Sequence, residues 1–338
     1  MRRIRFGRTE AEVSTVSLGT WAHGGPKIVG GRPVGWYGSD PEAAKKSLVE
    51  SARVGINHWD TADVYGDGRA ERLVGEVWDE VSRDDVFLAT KVGWDPGPYG
   101  HYYHPEQIRR QLERSLRYLR VETIDLYYLH HCDFGPSAEY LDDAVALLRK
   151  FRDEGKIRFI GLSDWKSELI LRFAPRVDPD VVQCYRNVVD DTYESSGLRN
   201  WVRDHDIGVS FFSPIKHGLL LGLFEGPVTF GIGDHRNAIQ DFRDYSLLSR
   251  LRACRREVEA RFDGEMREPV LQALIGALLV EEPSGCALLG LHRTDQVSSA
   301  AEVGSPLSAE DARWVRRLYA ENGRPTRSSW RMRTGKDF

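Results

Sequence analysis

The chain is predicted to fold as an α/β protein, a (β/α)8 TIM barrel with a short N-terminal β-hairpin and long βα loops. Three observations predict it. Eight short apolar runs recur along the chain, at 15–18, 56–59, 86–89, 124–129, 159–162, 181–184, 209–212 and 287–289, with helical-period segments in the gaps. Several of these runs alternate little, as strands covered on both faces do. The stretch after the first run, Leu18-Gly19-Thr20-Trp21-Ala22-His23-Gly24-Gly25, lacks the GxGxxG spacing and opens no helix. That disfavours the rival, a doubly wound open sheet.

In chain order, two β-like pieces at 3–6 and 10–13 flank Gly7-Arg8-Thr9, a hairpin turn. A helix over 41–54 follows Ser39-Asp40 and has proline in its first turn, a capped start. A helix over 105–119 also begins with proline, and one over 139–154 stops at Gly155. Further helices are predicted over 70–81, 166–173, 196–205, 247–262 and 268–280. The connections 93–104 and 222–245 are long, as binding loops and lids are. One domain, 1–338, is expected, with its barrel core at about 14–305 and a C-terminal helix and tail at about 306–338.

Composition narrows the function classes. Hydrophobic residues make up 41% and charged residues 29%, which is globular composition. Lys plus Arg is 47 against 51 Asp plus Glu, a net charge of −4, so nothing asks for nucleic acid. The basic stretch Arg327, Arg331, Arg333, Lys336 reads as a solvated tail. The apolar stretch around 270–280 is too short to span a bilayer and fits one face of a buried helix. No apolar run follows the charged N-terminus, so no signal peptide and no membrane partner are expected. The four cysteines, Cys132, Cys184, Cys254 and Cys286, form no CxxC and read as reduced thiols of a cytoplasmic protein with no metal site. Oligomeric state is not legible here.

Barrel chemistry sits at the C-terminal ends of the strands. The polar residues expected there are Asp60 and Tyr65, Lys91, His130 and His131, Ser163 and Asp164, Gln183, and Ser213 with Lys216. An acid, a phenol, an ammonium and an imidazole at consecutive strand ends outweigh the bland reading of each alone. A phenol has a pKa of about 10. Lys91 is expected to lower that of Tyr65, and Asp60 to pair with Lys91. His130 would orient the substrate oxygen or relay a proton. Such a phenol suits proton donation to a carbonyl oxygen as hydride arrives. No side chain here carries hydride, so a nicotinamide cofactor is needed.

The motif Gly55-Ile56-Asn57-His58-Trp59-Asp60-Thr61-Ala62-Asp63-Val64-Tyr65-Gly66 resembles the signature of the aldo-keto reductase family. Ala89-Thr90-Lys91, the run Ile124-Asp125-Leu126-Tyr127-Tyr128-Leu129-His130 and the run from Gly155 to Ser163 match later blocks in the expected order. Phe6-Gly7-Arg8-Thr9 and Leu18-Gly19-Thr20-Trp21 are similar to its bacterial, potassium-channel-β-like and inositol-operon branches.

The resemblance implies NADPH-dependent reduction of an aldehyde or ketone, NADH being the lesser candidate. It implies the tetrad Asp60, Tyr65, Lys91 and His130, with Tyr65 as general acid. Ser163, Asp164 and Gln183 would hold the carboxamide, and Phe212 would stack on the nicotinamide. Ser213, Pro214, Ile215, Gly218 and Leu220 would contact the pyrophosphate. Gly290, His292, Arg293 and Gln296 would cradle the 2′-phosphate, and Gly19, Thr20, Trp21 and Arg236 are assigned to the same cofactor set. Arg293 forks onto that phosphate, caps a helix or faces solvent. The Asp234–Asn237 loop either clasps the cofactor or packs on a lid.

Departures include Asp164 where the family has Asn, since a carboxylate cannot donate to the carboxamide oxygen. Phe212 replaces Tyr, and Ser299-Ala300 replaces an acidic-Asn pair. Trp21, Trp94, Tyr99, Tyr102, Tyr103, His131 and Phe134 are either substrate-pocket walls or ordinary loop packing. The alternative function is an NADPH-binding regulatory protein of the channel-β type.

Overall fold

The computed structural model describes residues 1–324, so the basic stretch at 327–336 and the end of the expected tail lie outside the described residues. The N-terminal hairpin pairs β1 (Arg3–Arg5) with β2 (Glu12–Ser14). Eight parallel strands then close into a barrel: β3 (Val16–Gly19), β6 (His58–Asp60), β7 (Phe87–Val92), β8 (Ile124–Leu129), β9 (Ile157–Asp164), β10 (Val181–Tyr185), β11 (Gly208–Phe212) and β12 (Gly285–Gly290). Each pairs with the next in sequence, and β12 pairs with β3. These are the eight expected runs. Burial on both faces explains their unbroken apolar character: every residue of β7 and of β8 is buried.

Most helices follow their sequence signals. Asp40 accepts a hydrogen bond from Ala43 N at 2.7 Å and caps α1 (Pro41–Arg53). The helix α2 (Arg69–Gly75) stops six residues before the expected end. Its Gly75 lies directly on the Tyr118 carbonyl of α3 (Pro105–Leu119), and the chain beyond turns so that Trp78 donates to Leu119 O at 2.6 Å. A Cβ at Gly75 would meet that carbonyl well inside contact distance, with Leu119 C 2.9 Å away. Gly75→Ala should therefore destabilise the protein by about 1–3 kcal/mol by overpacking. Chemical denaturation measures this, and an unchanged midpoint would contradict it.

Next come α4 (Leu141–Asp153) and α5 (Ser167–Val177), the latter running through Pro175 in its last turn. The expected helix over 196–205 is α7 (Leu198–Asp204), which starts after Gly197 at φ +88°, and a separate short helix, α6 (Thr192–Ser195), precedes it. Then follow α8 (Tyr245–Arg261) and α9 (Pro269–Leu279). Instead of one buried face, α9 is buried nearly all round, because α8 and α11 (Ala309–Asn322) pack against it in a second apolar cluster with Leu251, Leu274 and Val315. The helix α10 (Thr294–Ala301) begins just after Arg293, in line with the alternative that Arg293 stands at a helix start.

The hairpin shuts one end of the barrel. Phe6 is fully buried, 5.3 Å from the His58 ring and 5.8 Å from Phe87. The other end, where the strands finish, is overlaid by loops. In the first of these, a two-residue hairpin pairs β4 (Ile28–Val29) with β5 (Arg32–Pro33). That loop reaches across the barrel mouth to the long loop after β11. Gly35 N donates to Gly233 O at 3.1 Å, His235 N to Gly35 O at 2.9 Å, and Tyr37 N to the Asp234 carboxylate at 3.0 Å.

Candidate active site

Asp60 is the last residue of β6. The chain after it runs along β7, with Thr61 N on Ala89 O at 2.9 Å and Asp63 N on Lys91 O at 3.2 Å. This lays Tyr65 over Lys91, whose Nζ is 5.2 Å from the Tyr65 ring centroid. Lys91 is fully buried and donates to Asp60 Oδ1 and, at 2.8 Å, to Thr61 O. Gln183 Nε2 donates to the other Asp60 oxygen at 2.8 Å. His130 follows β8, held by His130 N to Val92 O at 2.9 Å, with its ring 6.0 Å from Tyr65 at 76°. Trp21 stacks at 6.2 Å on Tyr65. The four residues expected to meet at the rim do so.

Their electrostatics differ from expectation at one point. Burial pushes Asp60 up and Lys91 down, and each is opposed by the other's charge. Both Asp60 oxygens have donors, which holds the pair together as ions. Tyr65 is partly exposed, yet burial of its ring raises its pKa well above the ordinary value, and the Asp60 and Asp63 carboxylates raise it further. Burial and the two carboxylates outweigh the Lys91 ammonium, so the net direction is opposite to the expected lowering. The ammonium is matched by Asp60 and lies under the ring face. The phenol is held protonated, a store for one proton. His130 is driven well below its usual range by burial first and by Lys91 second, so its imidazole is neutral.

Several cofactor residues stand where the sequence placed them. Thr20 donates to the Asp60 carbonyl through N at 2.9 Å and Oγ1 at 3.1 Å, which fixes Gly19–Trp21 against β6. Ser163, Asp164 and Gln183 stand on neighbouring strands, with Gln183 beside Ser163 and Asp164 beside Cys184 in register. Phe212 is partly exposed at the end of β11, edge-on to Trp165 at 4.7 Å. Beyond it the backbone is left-handed at Ser213, Lys216, His217 and Gly218. Successive turns of this kind gather main-chain N–H groups into anion-binding concavities.

The assignments of Gly218, Leu220 and Arg236 need correction, whereas Arg293 and Gln296 hold local partners at their assigned positions. The amides of Gly218 and Leu220 donate to Ile215 O, at 3.1 and 3.2 Å, and the Leu220 side chain is fully buried, so neither has an N–H left for a phosphate. The Arg236 guanidinium is forked onto Asp234 at 2.9 and 2.7 Å and lies between Trp36 and Phe230, at 4.1 and 3.8 Å from their ring centroids. It packs between the loop after β11 and the loop after β3. Arg293 forks onto Asp295 at 2.9 and 2.7 Å in solvent, just before α10. Gln296 Oε1 accepts from His292 N at 3.0 Å and closes the turn after Gly290.

The aromatic wall divides in the same way. Trp94 is 6.1 Å from the His130 ring, and Tyr102, tied to Asp133 by a 2.6 Å hydrogen bond, stands 6.4 Å from Trp94. His131 uses both nitrogens internally, on Gly93 O and Asp133 N, so it has none to offer a substrate. Phe134 is buried against Tyr103 and Phe173, and both Phe134 and Tyr103 support the wall from behind. Tyr99 stacks on His104 near the start of α3. Trp36 and Trp165 were not singled out from the sequence. Their positions just after the Gly30-Gly31 hairpin and just after β9 were the available signal.

A cavity of about 660 Å³ lies at the opposite end, among Asn57, Arg83, Phe87 and Arg158. Arg83 and Arg158 are both bound to Asp125 there, and barrel chemistry belongs to the other end. Among the described residues no His/Cys/Asp/Glu group is placed to hold a metal, and no helix is long and apolar enough to cross a membrane.

A protonated phenol beside a neutral imidazole, at the C-terminal rim of a (β/α)8 barrel, can give one proton to an oxygen and hold that oxygen in place. That defines an acid–base site suited to carbonyl chemistry. Comparison with known proteins agrees: the aldo/keto reductase family model matches residues 15–313, and the chain belongs to this family of oxidoreductases. Over 235 residues, 66% of this chain and 70% of the relative, it is 32% identical to the NADH-specific methylglyoxal reductase of Escherichia coli (strain K12). An aldo-keto reductase of Bacillus subtilis (strain 168) is 28% identical over 318 residues, 92% and 91% of the two chains. Among solved structures, the glycerol dehydrogenase of Gluconobacter oxydans superposes with a TM-score of 0.78 at 28% identity, covering 97% of this chain and 98% of that one.

Proposed function

We propose that the protein reduces a small aldehyde or ketone to an alcohol with NADPH, and that Tyr65 supplies the proton. The observation that carries this reading is the geometry of the rim: the Tyr65 ring lies over Lys91 of the Asp60–Lys91 pair, with the His130 ring 6.0 Å away. The bound cofactor supplies hydride. His130 donates a hydrogen bond to the carbonyl oxygen, and Tyr65 passes its proton to that oxygen as negative charge develops. Lys91, held by Asp60 and Thr61 O, keeps a positive charge under the phenol as it becomes phenolate.

The residues present suit a dinucleotide. Phe212 offers a partly open ring for the nicotinamide, and Ser163, Asp164 and Gln183 lie at the ends of β9 and β10 on the same rim. The left-handed turn at 213–218 suits the pyrophosphate, where Ser213, Pro214 and Ile215 remain the assigned contacts. His292, Arg293 and Gln296 suit the 2′-phosphate, for which Arg293 would exchange Asp295 as its partner. We place the protein in the cytoplasm, where its four buried, unpaired cysteines stay reduced.

The test is titration with NADPH and NADH, followed by NADPH oxidation with a panel of aldehydes and ketones. Carbonyl-dependent oxidation supports the reading. Binding without turnover would favour a regulatory protein, and no binding of either cofactor would sink it. Arg293→Ala should weaken NADPH roughly ten- to a hundredfold, the loss of a charge-assisted contact, and leave NADH little changed. Equal losses for both cofactors would refute the phosphate role.

A further inference from the structure

The ionisable groups of the inner rim nearly cancel. Asp60 is matched by Lys91, Tyr65 keeps its proton, and His130 and His131 are neutral. The buried Asp63 carboxylate has no hydrogen-bond partner among the described residues and its pKa is pushed well up by burial, toward its neutral form, which leaves Asp164 as the exception. It is only 7% exposed, at the last position of β9, next to Ser163 and one register step from Gln183. Its oxygens accept from two fixed main-chain donors, Oδ2 from Cys132 N and Oδ1 from Lys166 N, each at 2.8 Å. Among the described residues it has no ion-pair partner, and Lys166 is the cation that bears on it at longer range. Burial raises its pKa, and the two main-chain hydrogen bonds oppose that rise. Because two N–H groups point at its two oxygens, the ionised form suits this pocket.

An amide at this position would serve a nicotinamide carboxamide by hydrogen bonding alone. A carboxylate adds a charge, and the two oxidation states of the cofactor respond to it differently. The reduced ring is neutral and the oxidised ring is a cation, while the phosphates are common to both.

We propose that Asp164 is a fixed negative charge beside the nicotinamide that favours the oxidised, cationic ring over the reduced, neutral one. The inference rests on the nicotinamide-binding reading above. In the proposed reaction a hydride, one proton with two electrons, would pass from the reduced ring to the carbonyl carbon, and the Tyr65 proton would go to the oxygen. The ring is left positive. Asp164 stabilises that developing charge, so the bound reduced cofactor is a stronger hydride donor and the oxidised one is held more tightly. Asp164 therefore contributes as an electrostatic group, in addition to any contact with the carboxamide.

The test is a ratio of dissociation constants, read from tryptophan fluorescence or calorimetry with NADP+ and NADPH separately. Asp164→Asn removes the charge, and Asp164→Glu keeps it. A unit charge acting across several ångströms of protein is worth on the order of tenfold in relative affinity. The Asn variant should lose about tenfold in NADP+ affinity relative to NADPH, and the Glu variant should keep most of the preference. A role confined to stapling the loops would weaken both forms equally and leave the ratio unmoved. An unchanged ratio in Asp164→Asn, or equal loss of preference in both variants, would overturn the proposal. If the unmodified protein binds neither form, the nicotinamide reading itself falls, and the proposal with it.

Discussion

Tyr65→Phe is expected to lower turnover by roughly 10²- to 10⁴-fold, the usual contribution of a positioned general acid. The change removes one oxygen and its proton and leaves the ring. The Trp21 stack at 6.2 Å, the Lys91 contact at 5.2 Å and the His130 edge at 6.0 Å all involve that ring, so the site should keep its shape. Cofactor affinity and thermal stability should stay close to those of the unmodified protein. Steady-state kinetics with parallel cofactor titration separates the outcomes. A variant that retains most of its turnover would move the proton source elsewhere. One that loses cofactor binding as well would give Tyr65 a structural role.

Lys91→Met should have the largest effect on stability. It leaves the Asp60 carboxylate in a fully enclosed site with only the Gln183 donor at 2.8 Å. Removing one partner of a buried pair costs about 3–5 kcal/mol, because the remaining charge is left uncompensated. A fall in melting temperature of roughly 10 °C follows for a chain of this size. Turnover should fall as well, since a phenolate forming at Tyr65 would have no cation beneath it. The double variant Asp60→Asn/Lys91→Met removes both charges. It should recover a substantial part of the stability and none of the turnover. If the double variant is as unstable as the sum of the singles, the two residues do not act as a pair.

The barrel was legible because strands buried on both faces leave unbroken apolar runs. β8 and α3 match their expected bounds to the residue. The early end of α2 was not legible, because it depends on contact with α3 about forty residues away. The tetrad could be read because each member lies at or just beyond a strand end, a position that spacing reveals. The protonation of Tyr65 could not. Spacing shows that Lys91 is near, but not that Asp60 already balances its charge.

Arg236 and Arg293 carried a local warning. Each has an aspartate two residues away, Asp234 and Asp295, and each guanidinium forks onto it. The aromatic wall was overcounted because residue type does not say which side of a loop faces the cleft. Phe134 and Tyr103 turn inward, whereas Trp94 turns toward His130. The β4–β5 hairpin had a visible sign in Gly30-Gly31, a pair suited to a two-residue turn.

The main-chain pairing of Gly35 and His235 with the 231–237 segment has a practical consequence for protein engineering. Loop grafting in barrels treats each βα loop as a module that can be exchanged between scaffolds. Here the first and seventh loops share their hydrogen bonds, and the Asp234 carboxylate that receives Tyr37 N also anchors Arg236 beneath Trp36. A donor loop placed in either position alone would leave the other without its partners. The exchangeable unit at this side of the mouth is the pair, so a library meant to change selectivity should vary 25–37 and 231–237 together.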